Sequence, residues 1–290
     1  MRTGSLRFLG FVALAWLSAG AGFAQPGLDE AKRFFDHTDY DRAVEILRSI
    51  EPKTVPVYEL LGKSWFMSGE FKRASDAFEK AVALDPTNSE DYMWLGRSYG
   101  RRAETANPFS APGLAVKSRR SFEQAIALNP RNLEAIGDLF EYYLDAPGFL
   151  GGGLDKAAAL AKKYQELDPV EYHYALAKIA ENKKEYGAAE EQLRRAAELA
   201  PRQIGRMLDL GKLLYKQGKV QEGEAAFAQA EKIAPDSPKV MFARASAYIR
   251  AKQNMDQAKL LLNKYLKATL TPDDPPREEA RKLLKQAYGG

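Results

Sequence analysis

Apolar and small residues recur along this chain at spacings of three and four positions, with charged and polar residues between them. Such spacing is typical of amphipathic helices, because positions three and four apart lie on the same helix face. No stretch alternates apolar and polar residues for long enough to predict a β-strand. The pattern therefore predicts an all-α protein.

Internal repeats organise these predicted helices. The clearest unit spans residues 55–88 and contains Tyr58-x2-Leu61-Gly62-x2-Trp65, then Ala74-x3-Phe78, then Pro86. The same frame returns around Gly96 and Phe122, and again around Gly211 and Phe227. These repeats resemble the tetratricopeptide repeat family. With its two inserted segments, the chain is similar to exported bacterial members of that family.

The resemblance implies a right-handed α-solenoid of about seven helix-turn-helix repeats. The repeats are predicted at about residues 25–54, 55–88, 89–132, 133–169, 170–203, 204–237 and 238–272. The last segment, "PPREEARKLLKQAYGG", begins with prolines and is largely polar. Residues 275–288 are therefore predicted to form a helix that caps the end of the solenoid.

The segment "GRSYG" at residues 96–100 matches G-x-S-x-G, which presents the serine nucleophile of many hydrolases. That motif needs a strand and a strained turn before the next helix. In the repeat frame Gly96 is instead the small packing residue of a first helix, and Ser98 lies in mid-helix. We therefore predict a protein that is not an enzyme, with a serine hydrolase using Ser98 as the minor alternative.

No catalytic, cofactor-binding or metal-binding residues are predicted. The chain contains no cysteine, which excludes disulfides and thiolate ligands. His37 lies in "DHTDYD", where Asp and Thr are common turn and cap residues, and His173 occupies a packing position. The glycine-rich "GFLGGGLDK" lacks the G-K-[S/T] of a phosphate loop.

The N-terminus has the layout of a secretory signal peptide. Arg2 and Arg7 precede an apolar run over residues 8–17, and small residues lead to Ala24. We expect cleavage after residue 24 and export to the periplasm or the medium, with a retained anchor helix as the alternative. Cleavage removes Arg2 and Arg7, so 43 basic residues become 41 against 39 acidic ones. A net charge of only +2 in an exported protein argues against nucleic acid as the partner.

The predicted concave groove combines basic and apolar residues. The position after each small packing residue is expected to face this groove, and it is basic in five of seven repeats. Apolar anchors one turn away suit an extended peptide. The predicted groove residues are Lys32, Phe35, Lys63, Phe66, Met93, Arg97, Tyr174, Lys178, Leu208, Lys212, Tyr215 and Phe242. A solvated lysine face without a partner is the alternative.

Two repeats carry insertions between their first and second helices. The third repeat has ten extra residues within "ETANPFSAPGLAV", and the fourth has five within "APGFLGGG". Both insertions emerge on the same edge of a solenoid, where they are expected to form a joint lip. The predicted lip residues are Phe109, Pro112, Leu114, Pro147, Phe149 and Leu150. The alternative is that these loops only cover nearby apolar surface.

The predicted function is a non-catalytic scaffold in the cell envelope, with no cofactor. Its partner is predicted to be a protein or an extended peptide, acidic segments included, with no nucleic acid and no membrane span after cleavage. A structural envelope component that associates with itself, as a homo-oligomer, is the alternative.

Overall fold

A computed structural model describes residues 26–289, which form fifteen α-helices and one short 3₁₀ helix. Strands are absent from this part of the chain, so the predicted all-α repeat solenoid is confirmed. The helices are α1 Pro26–Asp36, α2 Tyr40–Ser49, α3 Val55–Met67, α4 Phe71–Leu84, α5 Ser89–Thr105, α6 Ala111–Leu128, α7 Leu133–Asp145, α8 Leu154–Leu167, α9 Pro169–Asn182, α10 Tyr186–Leu199, α11 Ile204–Lys216, α12 Val220–Ile233, α13 Pro238–Ala251, α14 Met255–Lys267 and α15 Arg277–Gly289. The 3₁₀ helix is Gly148–Leu150.

Polar caps begin several helices and glycines end others. Asn88 accepts hydrogen bonds from two backbone amides of the first turn of α5, and Asp168 does the same for α9. Asn132 caps α7 by accepting from a single amide of its first turn. Gly69 and Gly218 follow α3 and α11 with φ of +82° and +76°, which glycine adopts without strain. The turns therefore divide the chain into helix pairs.

The two helices of a pair pack closely where the first helix carries glycine, which has no side chain, at the contact. A Cβ on Gly62 would lie 2.6 Å from the Phe78 ring, and a Cβ on Gly96 would lie 2.5 Å from the Phe122 ring. Gly211 and Phe227 repeat this contact in α11 and α12. Consecutive helices pack along the whole array, and alternate helices such as α11 and α13 also touch. Each repeat thus shares its apolar core with its neighbours.

The first insertion differs from its prediction as a loop. α5 extends to Thr105 and α6 begins at Ala111, so most of the extra residues lengthen these two helices. Pro112 and Leu114 consequently lie on α6 rather than in a loop. Proline is well accommodated in the first turn of a helix, because the amide hydrogen that it lacks would have no helical partner there.

The two ends of the solenoid meet. Arg277, at the start of α15, donates from Nη1 to Oγ1 of Thr38 at 3.2 Å and from Nη2 to the carbonyl of Ala268 at 2.9 Å. Nη2 of Arg101 lies 3.6 Å from Oε1 of Glu279. We call the Arg277–Thr38 and Arg101–Glu279 contacts the clasp. It joins the last helix to the turn of the first repeat and to the first helix of the third.

No helix within the described residues is both long enough and apolar enough to cross a bilayer. The predicted signal peptide, residues 1–24, lies outside the described residues.

Candidate functional site

Two cavities lie along the groove, the concave surface formed by the first helices of the repeats. The first has a volume of about 710 Å³ and lies among α9, α11 and α13. We call it the C-terminal cavity, and its polar lining includes Tyr174, Lys178, Glu181, Asp209, Lys212, Lys216 and Arg250. The second, of about 400 Å³, lies between α5 and α7 over α6. We call it the lip pocket, and its lining includes Phe66, Arg97, Arg101, Ala103, Ala115, Phe122, Glu141, Tyr142, Asp145, Pro147 and Leu150.

The predicted groove residues divide into surface and core positions. Lys32 is exposed, and a second group is half-buried at the surface, namely Phe35, Lys63, Phe66, Arg97, Tyr174, Lys178, Lys212 and Phe242. Met93 and Leu208 are instead core residues, 2% and 5% exposed. Tyr215 is also 2% exposed, and its ring packs against Phe227 and Tyr248 beneath the C-terminal cavity. All three residues are buried and therefore present little surface to a partner.

Carboxylates of the same or of the next repeat neutralise part of the predicted basic face. Nζ of Lys63 lies 2.6 Å from Oε1 of Glu90. Lys212 pairs with Asp209 at 2.9 Å, one turn earlier on α11. These pairs make the groove mixed in charge rather than uniformly basic.

Arg97 is the most heavily engaged of these cations. Its Nε donates to Asp138 at 2.6 Å and its Nη2 to Glu134 at 3.0 Å. Its guanidinium also lies 4.9 Å from the centre of the Trp94 ring, within range of a cation–π contact. Arg97 therefore holds α5 against α7 and has little capacity left for a partner.

An acidic stripe on α7 was missed in the sequence. Glu134, Asp138, Glu141 and Asp145 are spaced four, three and four positions apart, which places them on one helix face. This spacing is visible in the sequence and could have identified the stripe. Burial raises the pKa of Asp138 despite the nearby Arg97 guanidinium, and burial likewise raises the pKa of Glu141. The stripe therefore lies along the wall of the groove with its middle residues largely desolvated.

The lip combines projecting aromatic rings with residues that line a pocket. Phe109 is 98% exposed and Phe149 is 82% exposed. Pro147 and Leu150 line the lip pocket together with residues of α5 and α6, so the second insertion does lie beside the third repeat. The carbonyl of Leu150 accepts a hydrogen bond from the Tyr142 hydroxyl at 2.9 Å, which fixes the 3₁₀ turn to α7.

Ser98 lies inside α5 with no exposed surface. Its Oγ donates to the carbonyl of Trp94 at 2.8 Å, one turn earlier in the same helix. A nucleophile must contact both its substrate and a general base, and the buried Ser98 hydroxyl can contact neither. The geometry thus excludes Ser98 as a hydrolase nucleophile.

The histidine segments have the structural roles predicted for them. Asp39 caps α2 by accepting from the Arg42 amide, and His37 bonds the Arg33 carbonyl, so "DHTDYD" is a turn. His173 contacts Gln192 and the ring of Tyr172. In residues 26–289 no cluster of three His, Asp or Glu side chains has the arrangement of a metal site.

Comparison with known proteins identifies the repeat. Residues 55–88, 170–203 and 208–275 each match a model of the tetratricopeptide repeat. A 58-residue segment is 41% identical to anaphase-promoting complex subunit 3 of Dictyostelium discoideum. It covers 19% of this chain and only 6% of that relative's length.

Two solved structures share the architecture. A tetratricopeptide repeat protein from Parabacteroides merdae matches with a TM-score of 0.59 and 15% identity, over 91% of this chain and 98% of its own. A thermophilic TPR protein from Thermus thermophilus matches with a TM-score of 0.54 and 22% identity, over 66% of this chain and 98% of its own. Similarity at these identities concerns the fold.

Proposed function

This chain is a tetratricopeptide repeat protein, and we propose that it is a binding scaffold that holds an extended segment of a partner protein along its groove. The packed helices preorganise the groove, so the scaffold loses little conformational entropy when a partner binds. We propose no catalytic step, because the serine of the hydrolase-like motif, Ser98, is buried in α5 and the groove side chains are suited to binding.

The C-terminal cavity is the observation that carries this proposal. Lys178 and Arg250 line it, and neither has a carboxylate within 4.0 Å among the described residues. Tyr174 lies beside them, with its ring covered by the Arg206 guanidinium at 3.9 Å. Cations that the protein leaves unpaired can bind the carboxylates of a partner, which supports an acidic segment at this end of the groove.

Photocrosslinking in the native host tests the scaffold. A benzoylphenylalanine placed at Lys178 should form a covalent adduct with a partner protein. The matched control is the same group at Glu166, which is exposed on α8 and does not line either cavity. Equal adducts from Lys178 and Glu166, or no adduct from Lys178, would contradict binding in the groove.

Self-association is the second candidate, and the exposed rings of Phe109 and Phe149 favour it. Aromatic side chains at 98% and 82% exposure can serve as anchors for a second copy of the chain. Light scattering of the purified protein at several concentrations separates a monomer from an oligomer. A constant monomer mass would exclude self-association and leave the scaffold as the remaining candidate.

We also propose that the scaffold works in the cell envelope after removal of residues 1–24. The charged, apolar and small segments of this N-terminus support export. Sequencing the mature protein from its native host should give Gln25 as the first residue. A mature protein that still begins with Met1 in the membrane fraction would support an anchor instead.

A further inference from the structure

The lip pocket differs in chemistry from the C-terminal cavity. Its walls are apolar, formed by Phe66 on α3, Ala103 on α5, Ala115 on α6 and Leu150 of the lip. Its rim on α7 carries Glu141 and Asp145. An apolar cleft of about 400 Å³ accommodates one large side chain. The charge at its rim determines which neighbouring residue of the partner is favoured.

No direct ion pair compensates the charge at this rim, although the Lys178 ammonium lies near enough to Glu141 to oppose the effect of burial on its pKa. Among the described residues neither Glu141 nor Asp145 has a cationic nitrogen within 4.0 Å. The two arginines of the pocket are already engaged: Arg97 with α7, and Arg101 with Glu104 at 2.9 Å and with Glu279. An apolar pocket bordered by unpaired carboxylates is complementary to an apolar side chain that has a cation next to it.

We propose that the lip pocket binds an apolar side chain of a partner segment whose neighbouring lysine or arginine pairs with Glu141 and Asp145. This proposal rests on the proposed function, because it concerns the same groove. The groove then selects a segment by its order of charges, basic at the lip pocket and acidic at the C-terminal cavity.

Helix spacing gives the separation of the two charges. Packed helices lie about 8–10 Å apart, and Lys178 lies on α9, the first helix of the repeat after α7, so the two charges are about 8–10 Å apart. An extended chain covers about 3.3 Å per residue, which corresponds to about three residues. The favoured segment thus carries its acidic residue about three positions from its basic residue.

Selection from a phage library of random 16-residue peptides tests this proposal without knowledge of the natural partner. We expect the immobilised protein to enrich peptides with a lysine or arginine beside an apolar residue and an acidic residue about three positions away. Fluorescence anisotropy of one enriched peptide then measures Kd. With Glu141→Gln and Asp145→Asn combined, Kd should rise about five- to tenfold, because two ion pairs are lost. Ala115→Phe, which fills the pocket, should weaken binding at least as much.

Matched controls separate binding from folding. Glu166→Gln combined with Glu191→Gln removes two exposed carboxylates on α8 and α10, and it should leave Kd unchanged. Circular dichroism must show wild-type helicity for every variant that is compared. Glutamine at 141 still accepts the hydrogen bond that the Tyr174 hydroxyl donates at 3.4 Å, so this change keeps the local contact.

The outcomes distinguish the two proposals. If no peptide is enriched, both the scaffold function and this inference fail. If peptides are enriched without a basic residue, or bind the Glu141→Gln/Asp145→Asn variant as tightly as wild type, the groove binds segments but the lip pocket does not select a cation. Only weaker binding by both the double-amide and the Ala115→Phe variants supports the inference.

Discussion

Gly96 shows how a single missing side chain sets the distance between two helices. A Cβ at this position would lie 2.5 Å from the Phe122 ring, closer than real contacts allow. Gly96→Ala should therefore lower the free energy of unfolding by about 1–3 kcal/mol through overpacking. Gly113, also helical, has no atom within 4 Å of its hypothetical Cβ, so Gly113→Ala should be neutral or slightly stabilising. Urea unfolding of both variants checks the contrast, and equal losses would show that the glycines matter for another reason.

Asp91 makes stability depend on pH. It is 1% exposed, its Oδ2 has no hydrogen-bond partner, and burial, with Glu59 and Glu90 nearby, raises its pKa from 3.8 to about 7. Between these values the folded protein holds a proton that the unfolded chain has lost, so this group lowers stability as the pH rises from about 4 to about 7.

Asp91→Asn should therefore be more stable than wild type at pH 8, by about 1–3 kcal/mol, and nearly equal to it at pH 4. Urea unfolding at both pH values measures the difference, with the exposed Asp41→Asn as the control. A stability difference that is the same at pH 4 and pH 8 would show that the Asp91 carboxyl is not the cause.

Residue patterns predicted the packing positions better than the binding positions. The repeat frame placed Gly62, Gly96 and Gly211 against their aromatic partners, because that contact depends only on helix register. It could not show that Lys63 and Arg97 pair with carboxylates 27 and 41 residues later in the chain. Such pairs depend on side-chain conformers across neighbouring repeats, which a periodic pattern does not determine.

Helices were predicted more reliably than the segments between them. The three- and four-residue periodicity, with a proline such as Pro86 after the second helix of a repeat, predicted about seven helix pairs, because each helix must bury one face. The first insertion contained Pro112 and Gly113 and was interpreted as a loop. Its proline instead lies in the first turn of α6, where the ring's fixed φ favours a helix.

We expect the lip residues to differ in how much they contribute to stability. Leu114 on α6 is half-buried against the cluster that contains Phe78, Leu95 and Tyr99, so Leu114→Ala should cost about 1–2 kcal/mol of unfolding free energy. Phe109→Ser and Phe149→Ser remove only exposed rings and should change stability by less than about 0.5 kcal/mol. Thermal melting compares the three variants, and a large loss for either serine variant would mean that the projecting rings pack on the fold.

At the scale of the whole molecule, we expect the clasp to hold the two ends of the solenoid together. Arg101→Glu places two carboxylates together and should open it, and adding Glu279→Arg should close it again. The chain has no cysteine, so Asp41→Cys and Lys282→Cys provide unique sites for spin labels. Double electron–electron resonance should give a narrow distance distribution for the closed form and a broad one for Arg101→Glu. Identical distributions in all three proteins would show that the clasp does not restrain the ends.

The clasp also has a kinetic consequence for any segment held in the groove. Exposed ion pairs contribute about 1 kcal/mol or less, so the clasp adds little to equilibrium affinity. Arg101 belongs to both the clasp and the lip pocket, so α15 lies next to the place where a segment would leave. Residence time would then follow the opening rate of the protein, and a variant without the clasp would exchange its partner faster at nearly the same Kd.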